Sequence, residues 1–140
     1  LHLAKQRDLN VVMNKSVATA KGFTNLVTLK LKTKKEDRVI AGTLLNGYGA
    51  RIVQIDQFPV DIAPEGNFIL VSHHDKPGII GRLGTVLGNN NVNIATMQVG
   101  RKVIGGSAIM VLSVDKQAPK EVIAELEKLP DMMKVTEVTV

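Results

Sequence analysis

Two Pro-headed amphipathic stripes stand among short apolar runs between Phe68 and Val140, and they constrain the fold more than any other feature of the sequence. After Pro77, the residues Ile79, Ile80, Leu83, Val86 and Leu87 recur at helical spacing, and Gly88 marks the end of the run. After Pro119 the same rhythm returns in Val122, Ile123, Leu126 and Leu129, ending near Pro130. Around these stripes lie extended runs at Phe68–Ser72, Val92–Val99, Ser107–Val114 and Lys134–Val140. A basic, Gly-bearing link from Gly100 to Gly106 joins the second and third runs. The expected order is β-α-β-β-α-β.

Such an order gives the ferredoxin-like arrangement, an antiparallel sheet covered on one face by two helices. The first half has another rhythm. Val27, Leu29 and Leu31 alternate with Thr28, Lys30 and Lys32, which predicts a half-buried strand. Lys34–Asp37 makes a turn, and Arg38–Leu44 reads as the antiparallel partner, broken by Asn46-Gly47-Tyr48-Gly49. Arg51–Asp56 and Phe58–Ile62 follow as strands, and Ala63-Pro64-Glu65-Gly66 is the expected boundary between residues 1–66 and 67–140. Upstream, Leu1–Leu9 reads as the tail of a helix and Val11-Val12-Met13 as a short strand. The fold class is α+β, an antiparallel β-rich portion followed by a βαββαβ domain. The abrupt start at Leu1 predicts further sequence upstream.

Composition removes several function classes. The chain of 140 residues holds no Cys, so disulfides, thiol catalysis and Cys-based metal sites are out. No apolar run is long enough for a membrane span or a signal peptide, which makes cytoplasm the expected location. The net charge of +5 invites nucleic acid, yet the one dense cluster, Lys30, Lys32, Lys34 and Lys35, runs into Glu36 and Asp37 and reads as a solvated strand and turn. RNA recognition motifs share the β-α-β-β-α-β order but stack bases on aromatics of their central strands, and Ser107–Val114 has none. Neither nucleic acid nor membrane is an expected partner.

Chemistry concentrates at His73-His74-Asp75-Lys76-Pro77-Gly78, where the first strand of the second half hands over to its helix. With Pro77 in the first helical turn, the N–H groups of Gly78, Ile79 and Ile80 are expected to face a carboxylate-sized anion. Asp75 is placed either to cap the helix or to accept from an ammonium, and His73 shares its face. Asn93 follows the turn Asn89-Asn90-Asn91, and this topology is expected to bring it close to the helix start. Together they suggest a pocket for a zwitterion.

The segment Phe68–Ile94, with Asp75-Lys76-Pro77-Gly78, Gly81, Leu83, Leu87 and Val92-Asn93-Ile94, resembles the signature half of an ACT domain, a module that binds amino acids and regulates metabolic enzymes. Through Ala95-Thr96-Met97-Gln98-Val99-Gly100-Arg101, residues 67–140 are similar to the serine-sensing ACT domain of D-3-phosphoglycerate dehydrogenases. Gly42-Thr43-Leu44 and Tyr48-Gly49 followed by Arg51-Ile52-Val53-Gln54-Ile55-Asp56 resemble the later half of the intervening, allosteric substrate-binding domain of the long forms. A similar pair occurs in the β portion of L-serine dehydratases, the alternative within reach.

The resemblance implies L-serine or a related small amino acid as effector, held by His73, Asp75 and Asn93, with Asn93 coming from a neighbouring subunit and thus a homo-oligomer through ACT domains. It also implies catalytic domains elsewhere in the same chain, using NAD; within these residues it implies no catalytic residue, no metal and no cofactor. Gly47-x-Gly49 lacks the third Gly and the downstream acid of a dinucleotide fold. Arg51 takes the place of a basic residue proposed to bind an anion such as a phosphate-bearing substrate, although Ala63 stands where some members have a second basic residue. Read from the residues alone, Arg51 serves either that site or an exposed strand edge.

Overall fold

A computed structural model describes residues 4, 6, 7, 9–16 and 22–140. The helix tail expected over Leu1–Leu9 falls largely outside the described residues, although Leu9 N–H reaches the Ala4 carbonyl at 2.9 Å. The short strand expected at Val11–Met13 does not form. Those residues carry no regular structure, and Val12 and Met13 are exposed. A lone apolar triplet with no paired strand beside it has no ladder to join.

Four strands, β1 (Val27–Lys32), β2 (Asp37–Leu45), β3 (Gly49–Ile55) and β4 (Phe58–Ile62), follow one another as an antiparallel meander. Leu29 faces Ile40, Ile40 faces Ile55, and Ile55 faces Phe58, so one apolar row crosses the whole sheet. The alternation of β1 is as expected, but its half-burial is not. Val27, Leu29 and Leu31 are 68%, 65% and 54% exposed, because β1 is the edge and nothing described packs over it.

The second half runs β5 (Asn67–His74), α1 (Ile79–Asn89), β6 (Ile94–Arg101), β7 (Ser107–Val114), α2 (Lys120–Glu127) and β8 (Met132–Thr139). The strands order as β6-β7-β5-β8, all pairs antiparallel, which is the ferredoxin-like arrangement expected. Ile69, Val71, Met110, Leu112 and Val114 form one side of the main core, and Ile79, Leu83, Leu87, Val122 and Leu126 close it from the helices. Leu83 and Leu126 are fully buried. Leu83→Ala is expected to destabilise by about 2–5 kcal/mol in a urea titration. Met133→Ala, at an exposed position, should stay within about 0.5 kcal/mol.

The sheet is not covered on one face alone. Phe68, Ile109 and Val111 on its other face pack against Ile55, Phe58, Val60 and Ile62 of the first sheet, with Ile52 and Leu70 at the margin. The uninterrupted run Ala108–Leu112 in β7 reflects burial on both sides, as in the middle layer of a three-layer stack. Contact is closest at Gly100, where an added Cβ would lie 2.7 Å from the Pro59 carbonyl and 3.0 Å from the Phe58 Cβ.

Candidate functional site

β5 carries His73 on the face that bears Ile69 and Val71, so its ring enters the top of the main core under the start of α1. Only 1% of His73 is exposed. His73 Nδ1 lies 2.9 Å from the His74 carbonyl, which can only accept, so Nδ1 carries the hydrogen. Nε2 is buried and has no partner among the described residues. A buried imidazole nitrogen without a partner is costly, and among the described residues only it and Arg82 Nε are buried side-chain polar atoms in that state.

α1 begins at Ile79, two residues later than expected for a helix opened by Pro77. Gly78 is the N-cap in a left-handed conformation, φ 84°, which turns the chain sharply into the helix and strains any side chain placed there. No side chain caps α1 and no acid stands in its first turn. Of the expected free N–H groups, that of Ile79 makes a long contact of 3.5 Å with the Lys76 carbonyl.

Asp75 does not cap the helix. Its Oδ2 accepts from Arg101 Nη1 at 2.7 Å and from the Gly105 N–H at 3.3 Å, while its own N–H donates to the Gly106 carbonyl at 2.8 Å. The Arg101 hydrogen bond, then that of Gly105, holds the Asp75 carboxyl below the ordinary value of 3.8. Lys76 turns the other way, to Asp131 at 2.6 Å, where Arg82 also approaches at 3.9 Å. Asp131 is likewise held below 3.8, first by its bond from Lys76. Together these residues shape a cleft of about 330 Å³ lined by His73, Asp75, Gly78, Ile79, Ile80 and Arg101.

Asn93 is not in it. By register, Ile94 and Asn67 both meet Val114, whereas Arg101 and His73 both meet Ala108, so Asn93 lies at the opposite end of the sheet, about 20 Å away. A strand that follows a helix begins where the helix ended, so the expected proximity within one chain fails. Asn93 Nδ2 donates to Asp115 instead, at 2.8 Å. Arg101 fills the place at the cleft. Sequence reading left it in a link, because β6 runs two residues beyond Val99; only the pairing with β7 reveals that.

Arg51 lies apart, on β3. Its Nε donates to Asp61 Oδ1 at 2.6 Å and its Nη2 to the Asp61 carbonyl at 3.1 Å, so an anion there would compete with a carboxylate of the same chain. Among the described residues no group of His, Cys, Asp and Glu is arranged to hold a metal. No helix among them is long and apolar enough to cross a membrane.

The βαββαβ order, with a cleft where β5 turns into α1, is consistent with a module of the ACT class, and residues 67–131 match the ACT domain family. Residues 1–56 match the D-3-phosphoglycerate dehydrogenase intervening domain. The expected resemblance to the C-terminal regulatory part of D-3-phosphoglycerate dehydrogenase is thereby shown. The chain is 38% identical over 133 residues to D-3-phosphoglycerate dehydrogenase of Bacillus subtilis, covering 95% of this chain and 25% of that one. With the Synechocystis enzyme of the same name it shares 38% identity, covering 90% of this chain and 23% of the relative. The probable L-serine dehydratase beta chain of Bacillus subtilis is 30% identical over 81% of this chain and 52% of its own length. The chain thus spans about a quarter of the length of the dehydrogenases it matches.

Proposed function

We propose that this chain is the regulatory, non-catalytic portion of an NAD-dependent D-3-phosphoglycerate dehydrogenase of serine biosynthesis, a cytoplasmic enzyme. Residues 1–66 are the C-terminal portion of its intervening domain and 67–140 its ACT domain, which takes L-serine or a related small amino acid for feedback control. One observation carries the reading: the Asp75 carboxylate and the unpartnered Nε2 of His73 line one cleft beside the uncapped start of α1. Asp75 suits an ammonium, and the unpartnered Nε2 of His73 suits a hydroxyl, which both donates and accepts. The start of α1 near Gly78, Ile79 and Ile80 favours a carboxylate through its dipole. The dehydratase reading is not favoured, its match being lower in identity and shorter.

Asn93 enters through assembly. β6 is an edge strand whose Met97 and Val99 are 39% and 40% exposed, an arrangement open to pairing with a second copy. An antiparallel two-fold pairing centred between Met97 and Gln98 sets Asn93 of the partner subunit beside the Arg101 end of this strand, at the cleft. Binding and dimerisation are then linked. Titration calorimetry with millimolar L-serine should give heat, and sedimentation should show a dimer that tightens with serine. Silence in the first measurement removes the amino-acid site; a monomer at high micromolar concentration removes the shared cleft. NAD-dependent turnover of 3-phosphoglycerate by this chain alone would overturn the non-catalytic reading.

A further inference from the structure

We infer that Arg101 is a specificity-determining residue of the α1 cleft: paired with Asp75, it shares the ligand's carboxylate with the start of α1 and restricts the cleft to molecules carrying ammonium and carboxylate together. This rests on the amino-acid reading above and extends it to the chemistry of selection.

Of the other cations at this corner, Lys76 lines the cleft but pairs with Asp131 at 2.6 Å, and Arg82, 3.9 Å from Asp131, is not among the lining residues. Arg101 has Asp75 as its one side-chain partner among the described residues, and only Nη1 is engaged. Both contacts on the Asp75 carboxylate fall on Oδ2, and Oδ1 has no partner among the described residues. The pair therefore keeps one carboxylate oxygen and several guanidinium N–H groups unengaged, in a cleft also lined by Val99, Ile80 and Ile104. It carries no net charge. A zwitterion matches it in both signs and brings no net charge into the cleft, whereas an amine adds a positive charge beside Arg101 and gives the guanidinium nothing. A planar guanidinium is also suited to grip a carboxylate by two oxygens, which a lysine cannot do. The buried, unpartnered Nε2 of His73 in the same cleft is an independent sign that a polar ligand completes this site.

The test compares L-serine with ethanolamine, the same molecule without its carboxylate, by calorimetric titration of the full chain. Wild type should bind L-serine tighter than ethanolamine by about tenfold to a hundredfold, the scale of one charge-assisted hydrogen bond. In Arg101→Gln the preference should fall to about threefold or less, because L-serine loses its carboxylate contact while ethanolamine no longer meets the guanidinium charge. Arg101→Lys, which keeps the charge without the fork, should lie between them, and it carries the test if Arg101→Gln fails to fold. L-serine binding with an undiminished preference in both variants overturns the role of Arg101 and leaves the amino-acid site standing. Failure of wild type to bind L-serine at all removes both.

Discussion

Gly100→Val should loosen the docking of the two sheets and lower the urea midpoint of the chain. A Cβ at this position would stand 2.7 Å from the Pro59 carbonyl, 3.0 Å from the Phe58 Cβ and 3.2 Å from the Ile109 Cγ2. Two of these are backbone or near-backbone atoms of packed strands, which cannot turn aside as the end of a long side chain can. Extra volume in a well-packed interior costs about 1–3 kcal/mol, and valine adds more than the single methyl of alanine. The alternative to strain is separation of β4 from β6, which would expose Phe58, Val60, Phe68, Ile109 and Val111 to water. Either outcome lowers the midpoint, and separation would also raise binding of an apolar dye. Gly84 in α1 is the contrast. Nothing stands within 4 Å of a Cβ there, and Gly84→Ala should raise stability by about 0.5–1 kcal/mol through helix propensity alone. A Gly100→Val protein as stable as wild type would mean that the two sheets do not pack as described.

Asp75→Ala should weaken L-serine binding by about tenfold to a hundredfold, because it removes the one carboxylate of the cleft and releases Arg101 and the Gly105 N–H at the same time. The Arg101 bond, followed by that of Gly105, keeps the Asp75 carboxyl ionised below its ordinary 3.8. A depressed carboxylate contributes to stability above its unfolded value and loses that contribution as pH falls through the lowered folded one. L-serine affinity should therefore stay flat in this respect from pH 7 down to about pH 5, well above the ordinary carboxylate range. Asp75→Asn preserves the shape but not the charge, so it should lose nearly as much affinity as Asp75→Ala. Equal affinity in wild type and both variants would remove Asp75 from the site.

How much of this was legible in advance differs from residue to residue. The helices followed from periods of apolar residues at Ile79, Leu83, Val86 and Leu87 and at Val122 and Leu126, and all of these are buried. β7 was expected over the residues where it forms, and β1 to β4 fall within a few residues of their alternating runs. Periodicity is a property of neighbours along the chain, so sequence reaches it directly. His73, Asp75, Gly78, Ile79 and Ile80 were found together because they are consecutive or nearly so, and one strand-to-helix turn gathers them.

What sequence could not reach depends on which elements meet. The alternation of Val27, Leu29 and Leu31 states that one face of β1 is apolar but not whether anything covers it, and the second sheet packs only over the side of the meander nearer β4. The strong apolar run of β7 was visible, yet its cause, a second sheet against the outer face, lies some fifty residues away along the chain. The same holds at the cleft. Asn93 was drawn towards Asp75 by an expected topology that set the start of its strand beside the start of the helix, but strand direction places it at the far end of β6, while the register of β6 on β7 brings in Arg101. By itself the sequence determined the elements, their order and the residues of one turn, because these are set by local periods and local backbone restrictions. Register, edge and coverage were decided only by the tertiary structure, because each is a relation between segments whose separation along the chain carries no record of their distance in space.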